Sequence, residues 1–240
     1  DYADEWLTKC MFHYRWYNDA DATKARRILP FWRRTAVTDE EIAPLQKMIG
    51  DRQIGRLGVV GSNDVTAPVI EESYGRFLAA FDAHLQVSRF LFGARPASSD
   101  FATLGQLTCL VLFDPTPSAV VAERFPRVWA WTEVAEDLSG MEPEPTGWTP
   151  PSELPATLRS LLAEVGRTHA PFLLANAEAV DRKAEQVETE IAGRPWVQKP
   201  FPYQRKCLAW LRESYGRLDE SARKSVDAML EGTGCDTLFA

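Results

Sequence analysis

Between Phe90 and Leu107 the chain reads Phe-Leu-Phe-Gly-Ala-Arg-Pro-Ala-Ser-Ser-Asp-Phe-Ala-Thr-Leu-Gly-Gln-Leu, and no other run constrains the fold so tightly. An apolar helix is expected to close at Gly93, since glycine reaches the left-handed backbone of a C-cap without steric cost. Pro96 then bends the chain. Asp100 falls in the first turn of a new apolar helix, where the leading N–H groups lack partners and the helix dipole favours negative charge. A reciprocal capping box would need Ser or Thr three residues earlier, and Ala97 stands there instead. Either Ser98 or Ser99 takes over the cap, or the box is half-built at a cost of roughly 1 kcal/mol. Asp100 therefore reads as a structural carboxylate rather than a general base.

The rest of the chain repeats the helical period. Tyr2, Trp6, Cys10, His13 and Tyr17 make one stripe of a first helix over 2–17, with Ala3, Leu7, Met11 and Tyr14 beside it. Further helices are expected over 22–34, 39–53, 67–92, 99–112, 118–124 and 127–137. Thr38 or Asp39 caps the third, and Thr66 with Pro68 opens the fourth. Five prolines with Gly140 and Gly147 in 139–155 mark a rigid linker or surface loop. Helical segments over 154–167 and 171–177 come next. Around 186–201 the period changes: Val187, Thr189 and Ile191 alternate, and Ala192-Gly193 can turn, so a short β-hairpin is expected. Helices over 202–217 and 220–230 close the chain, with Gly232 and Gly234 stopping the last. The expected fold is mainly α: a helical domain over 1–138, the linker 139–155, and a helical extension over 156–240 whose hairpin packs on the first part.

Composition narrows the function classes. A chain of 240 residues with a formal charge of −7 lacks the basic face that nucleic-acid binding wants. The longest apolar runs are too short to cross a bilayer. Four scattered cysteines without a CxxC suit a reducing cytoplasm, and three histidines with no i,i+4 pair leave a metal site little to use. The spacing Gly55-x-x-Gly58-x-x-Gly61 lacks the preceding strand that a phosphate cradle requires.

Two segments carry a family resemblance. Leu91-Phe92-Gly93, Pro96 and Asp100, followed by Pro126-x-Val128-x-Ala130-Trp131, resemble the helical C-terminal domain of the glutathione transferase family, most closely over 70–138. The tail Gly193, Gln198, Pro200, Phe201, Tyr203, Gln204, Lys206, Cys207, Leu208 and Leu211 is similar to that of elongated relatives in the same group. On that plan Asp1-Tyr2-Ala3-Asp4-Glu5-Trp6 opens the first helix of the C-terminal domain. The resemblance then implies a thioredoxin-like half upstream, with this chain a fragment of a longer parent. It also implies glutathione as co-substrate, bound mainly by that other half, a small-molecule electrophile, a homodimer and a cytoplasmic setting. The alternative is a non-catalytic protein of the same fold, used for binding or as a scaffold.

No catalytic residue is assigned. What these residues can contribute is a wall of the electrophile pocket, formed by Trp6, Cys10, His13 and Tyr14 on the first helix, where apolar bodies carry polar tips. The same residues can equally pack a core. Arg52 and Arg56, one turn apart, can meet an anion or simply face solvent. His84 and His169 have no evident partners, and no GxSxG elbow occurs.

Overall fold

The computed structural model describes residues 1–142 and 145–240. It is mainly helical, with ten α-helices and one two-stranded antiparallel sheet among the described residues. A π-helical turn, Ala3–Leu7, runs into α1 (Thr8–Tyr17). Then come α2 (Asp19–Ile28), α3 (Asp39–Ile54), α4 (Ala67–Leu85), α5 (Ser98–Leu107), α6 (Pro115–Arg124) and α7 (Pro126–Glu136). The second part holds α8 (Ala156–Asp181), the hairpin β1 (Val187–Ile191) and β2 (Arg194–Gln198), α9 (Pro202–Gly216) and α10 (Glu220–Leu230). Of the segment 139–155, Pro143 and Glu144 lie outside the described residues.

Local chemistry accounts for most of these boundaries. Thr38 caps α3 in a complete capping box with Glu41: the Glu41 N–H donates to Thr38 Oγ1 and the Thr38 N–H donates to the Glu41 carboxylate. Thr66 precedes α4 but does not cap it by its side chain; Asn63 Oδ1 instead accepts from the Val65 and Thr66 N–H groups. At α5 the box is half-built. Asp100 Oδ2 accepts from the Ala97 N–H at 2.9 Å, Ala97 has nothing to return, and the buried Ser99 hydroxyl has no partner among the described residues. Asp100 has a second use that the spacing did not reveal. Its Oδ1 accepts from the Leu91 N–H at 2.9 Å, clasping the preceding turn to the start of α5. The hairpin turns through Ala192 and Gly193, both at positive φ, with Ile191 opposite Arg194.

Two expectations are corrected. The fourth helix ends at Leu85, not near residue 92, so Gly93 is not its C-cap. Residues 90–94 leave the helix because their backbone pairs elsewhere: Phe90 bridges Gly93, Gly93 bridges Trp148, and the Thr149 N–H donates to the Phe92 carbonyl. Gly93 (φ +126°) is required by this close approach, since a Cβ there would lie 2.5 Å from the Gly147 carbonyl oxygen. The helical segments expected over 154–167 and 171–177 are one helix, α8, which runs straight through Pro171. An interior proline costs about 3 kcal/mol. Here Ala170, Phe172 and Leu173 are fully buried, and their packing outweighs that cost.

The main core is continuous across the proline-rich segment. Trp6, Ile70, Phe77, Phe81, Leu110 and Val128 from the first part pack in one cluster with Phe172, Ile191 and Trp196 from the second. The Trp6 and Trp196 rings meet at 5.4 Å. Along its length α8 also carries the final 3-10 turn, Cys235–Phe239, whose Leu238 packs with Ala170, Leu173 and Ala177, while Thr233 and Gly234 lie close against Gly166. No single helix among the described residues is long and apolar enough to cross a membrane.

Candidate functional site

The first helix presents two faces with different chemistry. Its inner face carries all four residues proposed for the pocket wall, and the structure places every one in the interior. Trp6 is fully buried and donates its indole N–H to Ser73 Oγ at 2.9 Å. Cys10, also fully buried, lies against Ser73 and the Ile70 carbonyl, and burial pushes its thiol up to about 12. Tyr14 packs edge-on against Tyr74, and burial raises its hydroxyl well above the ordinary tyrosine range.

His13 joins a polar chain that sequence reading did not anticipate. Its Nδ1 is 2.8 Å from Ser62 Oγ and its Nε2 is 3.3 Å from Glu71 Oε1. The carboxylate fixes the tautomer: Nε2–H donates to Glu71, and Nδ1 accepts the Ser62 hydroxyl proton. Burial lowers the His13 pKa despite Glu71, so the ring is neutral. Ser, His and Glu in line invite comparison with a nucleophile relay. Ser62, however, is 2% exposed, and the ring stacks on Tyr17 at 4.6 Å. A substrate carbonyl has no approach to that hydroxyl, so the chain braces α1 against α4.

The outer face of the same helix borders a pocket of about 230 Å³. Glu5, Thr8, Lys9 and Phe12 of the first helix line it together with Arg56, Val59 and Val60, and with Gln198, Phe201 and Gln204. None of Trp6, Cys10, His13 and Tyr14 lines it. Its walls are mainly apolar, with a few polar groups, as ligand sites commonly are.

Lys9 is the unusual member. It is 3% exposed, and its Nζ donates to Gln198 Oε1 at 3.0 Å and to the Val60 carbonyl at 3.4 Å. The Nζ also lies 4.1 Å from the centroid of the Phe172 ring. Burial pulls its pKa down to about 7, against the opposing pull of Glu5. Glu5, which lines the same pocket, is engaged elsewhere: its carboxylate accepts from Gln204 Nε2 and faces the Cys207 thiol at 3.9 Å. Lys9 was invisible to the sequence reading because a lysine between apolar positions is ordinarily a solvated one. The only clue in sequence was its place one residue before Cys10, at the edge of the buried stripe.

The remaining candidates have structural partners. His84 lies between Thr157 Oγ1 and the Phe90 carbonyl, and burial lowers its pKa. His169 Nε2 meets Asp1 Oδ2 at 2.5 Å. Arg52 and Arg56 are exposed, and only Arg56 reaches the pocket. Among the described residues, no group of three or more His, Cys, Asp or Glu side chains is placed to hold a metal ion. Nor do the inner-face residues suit activation of a glutathione thiol: both His13 nitrogens are engaged, and the Cys10 and Tyr14 protons are held by burial. No protein-family model, curated protein or solved structure matches the chain.

Proposed function

We propose that this chain is the helical, electrophile-site half of a glutathione transferase-like protein that conjugates or reduces electrophilic small molecules with glutathione. The observation that carries the reading is the Asp100 clasp. A buried carboxylate caps the first turn of a buried helix, the use the resembling segment implies for that residue, and it also holds the Leu91 N–H of the preceding turn. Glutathione is bound and its thiol activated by a thioredoxin-like domain outside these 240 residues. The protein acts in the cytoplasm as a homodimer. With its upstream sequence it should bind immobilised glutathione and conjugate a model aryl halide, and residues 1–240 alone should do neither. A longer protein with no affinity for glutathione overturns the reading.

A second reading, a non-catalytic protein of this fold used for binding or as a scaffold, draws on a different observation. Phe201, Tyr203 and Trp210 are each about half exposed, and the last two border a surface hollow with Asp1 and Asp4. Aromatic side chains clustered on a surface suit a protein partner. Light scattering with and without the upstream sequence separates the cases. A stable assembly without glutathione affinity favours this second reading.

A further inference from the structure

The pocket on the outer face of α1 has a polar deficit that its own residues do not fill. Lys9 carries a basic amine into the interior, and among the described residues neither of its hydrogen-bond acceptors is charged. Buried ammonium groups are ordinarily paired with a carboxylate or a comparable anion. The acid one turn earlier on the same helix, Glu5, is bound to Gln204 instead. Gln204 supplies the complementary gap: it is 3% exposed, lines the pocket, and its buried Oε1 has no donor among the described residues. Each of these groups lacks what an incoming molecule could bring. Lys9 needs an anionic acceptor and Gln204 Oε1 needs a donor.

The walls define the rest of that molecule. Phe12, Val59, Val60 and Phe201 offer apolar contact, and a space of about 230 Å³ lies below the range of drug-sized sites and suits a small ligand such as one substituted ring. Arg56 stands exposed among the lining residues and favours entry of negative charge.

We infer that this pocket is a binding site for a small aromatic carboxylic acid bearing a hydroxyl, with the carboxylate on Lys9, the ring between Phe12 and the Val59–Val60 wall, and the hydroxyl donating to Gln204. The site is built entirely from residues of this chain. It therefore stands whether or not the transferase reading does, and its test contains no glutathione.

The test is calorimetric titration of residues 1–240 with the three monohydroxybenzoates and with the neutral hydroxybenzyl alcohols of the same shape. The best hydroxybenzoate should bind saturably, and about tenfold or more tighter than its alcohol. Lys9→Met keeps the length of the side chain and removes the charge, and should abolish that preference. Its folding is checked by circular dichroism, since exchanging a buried charged group for an apolar one is commonly neutral or stabilising. Val59→Trp, at a wall position that is 41% exposed, leaves Lys9 in place and fills the space; it should remove binding altogether. No saturable binding to the wild type, or equal binding by wild type and either folded variant, overturns the inference.

Discussion

A lysine in an apolar interior is an energetic liability that shows itself through pH. Lys9 titrates near 7 when folded and near 10.4 in the unfolded chain, so above neutrality the unfolded chain holds the extra proton. Stability attributable to this residue must therefore rise as pH increases from 7. The rise ends where Cys10 and the buried tyrosines begin to act, because their folded pKa values are raised and the unfolded chain releases those protons first. Between pH 7 and about 8.5, denaturant unfolding should show wild type gaining on Lys9→Met by about 1 kcal/mol per pH unit. Parallel pH curves for the two proteins would mean that the amine is solvated. Asp100 makes the opposite case at the same scale. Two backbone donors hold its carboxylate, yet burial outweighs them and its pKa is raised. Both residues were visible in sequence, but only Asp100 announced its role, because a capping position is a local pattern. Whether Lys9 is buried depends on residues 51 and 189 positions away.

Helices and hairpin were legible where local chemistry decides them, as at Thr38-Asp39 and Ala192-Gly193. They were misread where a distant strand of chain competes for the backbone. Phe90 to Ala94 carries apolar residues at helical spacing, and its hydrogen bonds go instead to Gly147 and Thr149. Pro171 looked like a break, and burial on both sides of it overrides the signal. The same dependence on remote neighbours governs the middle of α8. A Cβ on Gly166 would lie 2.0 Å from the Thr233 carbonyl oxygen and 2.8 Å from Gly234 Cα, both backbone atoms that cannot rotate away. In an isolated helix Gly→Ala would stabilise. In this protein Gly166→Ala should destabilise by about 1–3 kcal/mol and detach the Cys235–Phe239 turn. Faster amide exchange at Leu238 and Phe239 would report that detachment, and unchanged exchange would refute it.

Across the whole molecule, the sequence foretold a mainly helical chain with one hairpin, and the structure has both. It did not foretell which face of the first helix would stay open. The aromatic stripe could serve as a ligand wall or as core, and it is interior, because α4, α8 and the hairpin converge on it. A stripe read from one helix cannot show how many neighbours will cover it. Since the core runs without interruption from Trp6 to Trp196, the parts on either side of residues 139–155 should melt together. Trp196→Ala is expected to cost about 3–5 kcal/mol and to lower one shared transition. Two separate calorimetric peaks, with only the later residues affected, would contradict that.

Gly61 sits at φ +77° with the Trp196 ring so near that a methyl group there would come within 2.5 Å of it. The two positions are 135 apart in the chain, yet neither is free to drift alone. Among descendants of a common ancestor, position 61 should stay glycine wherever position 196 keeps its large ring. That paired history would be readable from genomes without any further coordinates.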